Sequence, residues 1–401
     1  LFTLAFITSC DFEDKNISPN SSGTIKPGPL LTYTQLNTSN EGLAKRTQVG
    51  YCMMMVQQTA SLDLNEMAGD KYLETETLGI FFTTMYSTVI KNLQELINLV
   101  EDDGTMVNTY AVALIWKSYL FHRITDLYGD VPYSEAGNGY RTQNFYPKYD
   151  RQSDIYAGLV SDIEKGLSLL DETKEPVEGD VLYGGDITRW KRFGNSLLLR
   201  FGMRMEKADP AQSRSLVTKA VQGGVMQSAG DICMVQHVEG KASTENPLGY
   251  VFKSHGLLVS GAIKISKTFM DRLKSTNDPR MQVYCALPDG DTARDKQKGL
   301  PNGYDLLTIS SGDPTYTSLP DYSTFNPATL LLLNAPTIYM VHAEVELLQA
   351  EAILKGYISG DAKAHYENAV RSSMQQQAIY GDAGVIPEQQ IEEYLSQGLF
   401  E

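Results

Sequence analysis

Basic residues are scarce in this chain: 34 Lys and Arg stand against 49 Asp and Glu, for a formal charge of −15. Nucleic acid and anionic membrane surfaces are therefore poor partners, because no excess of cations is present to displace counterions. Cysteine is scarcer still, at four residues in 401. Beyond Cys10, the thiols Cys52, Cys233 and Cys285 match neither a CxxC pair nor a zinc knuckle. Buried free thiols are the expectation, with one disulfide as the alternative. No uninterrupted apolar run beyond Ser9 reaches the roughly 18 to 20 residues a membrane-spanning helix needs. Catalytic signatures are missing too. The histidines, His122, His237, His255, His342 and His365, form no HExxH, and neither a GxSxG elbow nor a Walker loop occurs.

What the chain does contain is ample apolar content, 42%, to bury a core without staples. At its start an apolar run, Leu1 to Ser9, ends in small residues before Cys10 and is followed by the acidic stretch Asp11 to Asp14. This is the pattern of a lipoprotein signal peptide, so residues 1–9 read as a signal-peptide remnant and Cys10 as the lipidation point. A buried amino-terminal strand with an incidental cysteine is the alternative. Residues 10–38 are rich in Ser, Asn, Gly and Pro and nearly aperiodic, which predicts a tether whose last part packs on the body. Attachment to a membrane would then rest on lipid alone.

Helical periodicity begins near Phe82. Phe82, Met85, Val89, Leu93, Leu96 and Val100 recur at intervals of three and four, marking one buried stripe. A second helix, about Met106 to Tyr128, is apolar nearly all round and should be central. Asp150 or Ser153 is placed to cap a third, and Thr188 a fourth carrying Trp190, Phe193, Leu197 and Phe201. The fourth also bears Arg189, Lys191, Arg192, Arg200, Arg204 and Lys207, read as a face paired with neighbouring acidic helices. From Pro336 to about residue 378, Ala350 and Ala352 before a turn and Ala362, Tyr366 and Ala369 after it match a tetratricopeptide helix hairpin. Between lies a loop-rich insertion, about residues 223–335, with a short helix near Ser266 to Leu273. Short strands are predicted at Met281 to Leu287 and Tyr304 to Ile309. The fold class is all-α dominated: a helical-hairpin superhelix, about 82–222 and 336–378, carrying that insertion.

Several ordered blocks resemble one family. Ile124 to Ala136 (ITDLYGDVPYSEA) is followed by Tyr146 to Asp150 and Gln152, then by Tyr183 to Asp186 with Trp190 to Leu197. Glu245 to Pro247, Asn277 to Arg280, and Ala343-Glu344 with Ala350 to Ala352 come after them. In this order they resemble the SusD/RagB family of nutrient-binding outer-membrane lipoproteins. The resemblance implies four tetratricopeptide-like hairpins in one SusD-like domain, residues 39–401. It implies a cell-surface lid over a TonB-dependent SusC-type transporter, to which the protein passes captured glycans or, in some members, peptides, without catalysis and without a cofactor. It also implies that the chain stops on the order of a hundred residues before the usual family end. From the residues alone, the first block has an architectural account: Gly129 ends a helix, Pro132 stops it, and Asp126 and Asp130 bond the loop.

Glycan capture relies on aromatic faces that stack on sugar rings, beside groups that bond hydroxyls. Loop aromatics of this kind are Tyr72, Tyr183, Tyr250, Tyr304, Tyr316, Tyr322 and Phe325, and the stretch from Tyr304 to Phe325 is the expected ligand face. Asp289, Asp291 and Asp295 alternate loosely like a calcium loop but lack its central glycine and closing glutamate, so a solvated polar turn is the competing account. Two other function classes stay open: a secreted glycoside hydrolase, since 49 acidic residues offer many carboxylate pairs, and a periplasmic helical-repeat scaffold for proteins.

Overall fold

The computed structural model describes residues 25–40, 42–65, 67–73, 78–254 and 263–399. Cys10, the apolar run before it and the first part of the expected tether lie outside these residues.

Eight helices build the scaffold: α1 (Pro27–Asn37), α2 (Lys91–Val100), α3 (Val107–Tyr128), α4 (Gln152–Leu169), α5 (Ile187–Arg204), α6 (Pro210–Gly223), α7 (His342–Leu354) and α8 (Ala362–Gln375). The pairs α3/α4, α5/α6 and α7/α8 pack as helical hairpins, while α2 lies between α1 and α3. The expected stripe is present: Met85, Val89, Leu93, Leu96 and Val100 are all buried. The helix that carries it starts at Gly79 and passes through a π-helical stretch, Met85–Ile90, before α2. Helix α3 is central as its all-round apolarity requires, with Trp116 fully buried, stacked on Tyr119 and edge-on to Tyr339. Burial of each such large side chain stabilises the fold by about 1.5–3 kcal/mol.

Two expectations at the helix ends are corrected. The tether does not reach residue 38, because Pro27–Asn37 is helix α1, docked through buried Leu31, Thr34 and Gln35. Its polar residues are satisfied by partners far along the chain: Gln35 Nε2 donates to Asp180 and Gln35 Oε1 accepts from Val181 N. The cap of α5 is Asp186, whose carboxylate accepts from Arg189 N, and Thr188 instead bonds Glu172. A carboxylate at that terminus also opposes the helix dipole favourably. The basic face of α5 is spent on structure as expected: Arg192 pairs with Asp231, Arg200 with Glu344 and Arg204 with Asp126.

The family-like block after α3 is architectural. Gly129 ends the helix at φ +74°, ψ −123°, a region that side chains rarely enter. Asp130 accepts from Gln152 N to start α4, and Asp150 accepts from Tyr133 N and Ser134 N. Asp126 does not bond the loop; it serves Tyr156, His122 and Arg204.

Among the described residues, three two-stranded antiparallel ladders brace the insertion, two of them against segments outside it: β1 (Thr59–Ala60) with β3 (Lys264–Ile265), β2 (Cys233–Val235) with β6 (Thr337–Met340), and β4 (Cys285–Ala286) with β5 (Thr324–Phe325). The expected strand at Met281 to Leu287 is instead a helical turn, Met281–Tyr284, leading into β4, and that at Tyr304 to Ile309 is a turn. Asp305 explains the latter: its carboxylate accepts from the amides of Leu307 and Thr308, which favours a turn over extended backbone. Cys52, Cys233 and Cys285 are free thiols, the last two buried.

Candidate functional site

The turn Gly69–Lys71 ends in Tyr72, which takes a left-handed conformation and stands 70% exposed. Lys71 anchors this turn from beneath, donating to Ser61 O at 2.6 Å and pairing with Asp70 at 2.8 Å. Asp70 then reaches across the sequence: its Oδ2 accepts from Gly303 N at 3.1 Å. Asn302 continues the seam, donating from Nδ2 to Thr59 O in β1 at 2.8 Å. Tyr304 follows directly, half-buried, with its ring laid over Gly312, where a Cβ would stand 2.3 Å from the ring. A glycine is needed at that contact for steric reasons.

Tyr316 adds a third ring. Half-buried, it stacks on Tyr322 with centroids 6.0 Å apart and planes 28° from parallel. Tyr322 is the floor, fully buried with Ala60, Leu62, Leu300 and Ile309. Its hydroxyl donates to Asp313, and Lys298 lies 4.5 Å from its ring centroid while pairing with the same carboxylate at 2.8 Å. The Lys298 bond, with those from Thr315 and Tyr322, holds Asp313 well below the usual carboxylate range. Burial, with the Asp313 contact second, pushes the Tyr322 hydroxyl up.

Tyr304 and Tyr316 pack on one small core, and the turn that bears Tyr72 is tied to Gly303 beside it, whereas two other rings of the expected ligand face are buried. Tyr322 and Phe325 are core residues: Phe325 sits in β5, 4% exposed, with its ring edge-on to Phe252. Pairing of β5 with β4 turns these rings inward, a long-range event that composition does not encode. Tyr183 is buried as well, beside Trp190 and under Arg189. Tyr250 is half-buried on the helix Pro247–Ser254 and is not part of the Tyr304 cluster.

The acidic turn is also accounted for by local bonds. Asp289 accepts from Asp291 N, and Asp291 accepts from Ala293 N and pairs with Lys296. Among the described residues, no group of three or more His, Cys, Asp or Glu side chains is placed to hold a metal ion. A Ser–His–carboxylate relay does occur, with Ser372 Oγ 3.1 Å from His342 Nδ1 and His342 Nε2 3.0 Å from Glu346. All three residues are buried between α7 and α8.

Sequence reasoning missed one set of rings. Tyr140, Phe145, Tyr146 and Tyr149 are all exposed on the segment before α4. That segment is pinned by Glu135, which accepts from Asn144 Nδ2 and Lys148 N. The dense spacing of aromatics without aliphatic residues was the available signal.

Among the described residues, no helix is long and apolar enough to cross a membrane. Comparison with known proteins agrees with this architecture. No curated protein matches the chain. Among solved structures, a chitin-binding protein superposes with a TM-score of 0.81 at 28% identity, covering 93% of this chain and 79% of its own. A Bacteroidetes SusD-like protein gives 0.78 at 24% identity over 93% and 81%. A SusD homologue from Bacteroides fragilis gives 0.73 at 22% identity over 93% and 78%, a likeness of fold. The model of the SusD-like family described as starch-binding and associating with the outer membrane matches residues 19–399, and the chain belongs to that family.

Proposed function

We infer that this protein captures glycans at the cell surface and hands them, without chemical change, to a TonB-dependent transporter of the SusC type. In this reading Cys10 carries the lipid, the residues between it and α1 are the leash, and Tyr72, Tyr304 and Tyr316 stack on sugar rings. The observation that supports it is the seam from Asp70 to Gly303, which ties the turn of exposed Tyr72 to the turn of half-exposed Tyr304, in a member of a glycan-binding family. A chitin-binding relative at 28% identity makes chitin fragments the first ligands to try, with starch fragments second. Rings held by a fixed backbone lose little entropy on binding, which suits capture of a polymer that must also be released.

Affinity electrophoresis in gels containing soluble starch or a soluble chitin derivative tests the capture. Wild-type protein is expected to be retarded by at least one of them. The triple variant Tyr72→Ala, Tyr304→Ala, Tyr316→Ala should be weakened about ten-fold or more, since each lost aromatic contact is worth about 0.5–1.5 kcal/mol. Equal retardation of both proteins removes the tyrosine face. Release of shorter sugars during incubation removes the non-catalytic reading, and co-purification of a transporter with the lipidated protein, lost in Cys10→Ala, tests the delivery.

A further inference from the structure

A cavity of about 510 Å³ lies between the helical scaffold and the insertion, away from the tyrosine-bearing face. Its walls are largely apolar and aromatic, with Tyr119, Leu248, Phe325, Ile338 and Tyr339 among them. Arg123, from the middle of α3, also lines it. The guanidinium carbon stands 5.0 Å from the ring centroid of Phe81 and 5.7 Å from that of Tyr119, so two aromatic faces hold the group in place. Among the described residues it makes no ion pair and no hydrogen bond, unlike Arg189, Arg192, Arg200 and Arg204 of the neighbouring helix.

The carboxylate one turn along α3 does not neutralise it. Asp126 lines the same cavity, but its oxygens are taken by Tyr156 Oη at 2.6 Å, His122 Nδ1 at 3.2 Å and the Arg204 guanidinium. Among the described residues, the cavity therefore presents one unpaired positive charge in a planar fork and apolar, aromatic walls. In a protein of net charge −15, an unpaired half-buried guanidinium is costly to keep unless something pairs with it.

We propose that this cavity is a binding site for a singly charged carboxylate on a ring-sized body, namely an acidic sugar of the uronate type. The Arg123 fork matches a carboxylate bidentately, and one charge meets one charge. A phosphate would bring a second charge with no cation to meet it. The aromatic walls suit a sugar ring, and the volume falls in the range of small-ligand sites and fits a mono- or disaccharide. The site is independent of the neutral-glycan reading of the tyrosine face, so either fails without the other.

Isothermal calorimetry with D-glucuronate, glucose and acetate on the wild-type chain, Arg123→Met and Arg123→Lys tests it. Glucuronate is expected to bind wild type, with glucose undetectable and acetate weaker. Arg123→Met should lose about 10- to 100-fold in affinity, the worth of a charged hydrogen-bonded pair. Arg123→Lys keeps the charge without the fork and should fall between. If Arg123→Met does not fold, as judged by thermal unfolding without ligand, Arg123→Lys decides: it should weaken glucuronate. The proposal is overturned if wild type binds no glucuronate, if glucose binds equally, if acetate binds as tightly as glucuronate, or if the folded variants bind glucuronate as wild type does.

Discussion

The carboxylate of Asp70 accepts a hydrogen bond from the amide of Gly303, joining two turns 233 residues apart in sequence. Tyr72 leaves one turn and Tyr304 the other, so the spacing of the two rings is set by this contact and by the Asn302 bond to β1.

Removing the contact should therefore act on binding and stability together. In Asp70→Ala, Lys71 and the Gly303 amide lose their partner, at a cost of about 1–3 kcal/mol in urea unfolding. Glycan affinity should fall several-fold although no ring has been touched. Unchanged affinity would mean that the two turns do not work as one surface.

The tyrosines should separate into two classes. Tyr322→Ala opens a hole under Tyr316 and beside Lys298, and by analogy with other buried aromatics should cost about 3–5 kcal/mol. Tyr72→Ala exchanges one exposed ring for solvent and should stay within about 0.5 kcal/mol of wild type while weakening glycan binding. Melting temperatures of the two variants, read beside their affinities, check the assignment.

Acid sensitivity should begin above the carboxylate range. Burial holds His122 below 6.5, against the pull of Asp126, and burial lowers His237 in the same way. The unfolded chain takes up these protons first, so the stability contributed by neutral His122 is present above about pH 6.5 and lost as pH falls below it. Asp126 and Glu346, both lowered in the folded protein, add a second loss below their ordinary values of 3.8 and 4.5. A scan of melting temperature from pH 7.5 to pH 3 should show both phases, and His122→Gln should flatten the first. A profile of His122→Gln parallel to wild type between pH 7 and 5 contradicts the assignment.

The pair Arg200 and Glu344 ties α5 to α7 through two bonds of 2.6 and 2.8 Å. Arg200 is the more buried partner, so Glu344→Ala strands its charge and should destabilise by about 2–3 kcal/mol. Arg200→Met with Glu344→Leu removes both charges and should recover most of that loss in the same unfolding measurement.

Long helices were legible in the sequence because their period repeats over several turns: the stripe from Met85 to Val100 and the apolar girth of α3 need no distant partner to be read. The ladders were not, since each strand is two to four residues long and its pairing is decided elsewhere in the chain. The same limit divided the candidate site. Tyr304, Tyr316, Tyr322 and Phe325 share one composition, yet β4 and the Asp313–Lys298 pair turn two of them inward. Helix α1 escaped notice because its buried face includes Thr34 and Gln35, polar residues made apolar-compatible only by bonds to Leu31 and to Asp180.

That last contact bears on the order in which the chain matures. Asp180 bonds Gln35 of α1 and Trp190 Nε1 of α5 at once, and Tyr339 adds a bond to Gln35 O from 304 residues downstream. During synthesis, α1 can pack on Met85–Val100 early, but its bonds to Asp180 wait for that residue to emerge, and its last tie waits for residue 339. Helix α1 is thus the first element of the scaffold to be made and among the last to have its polar side chains fully bonded.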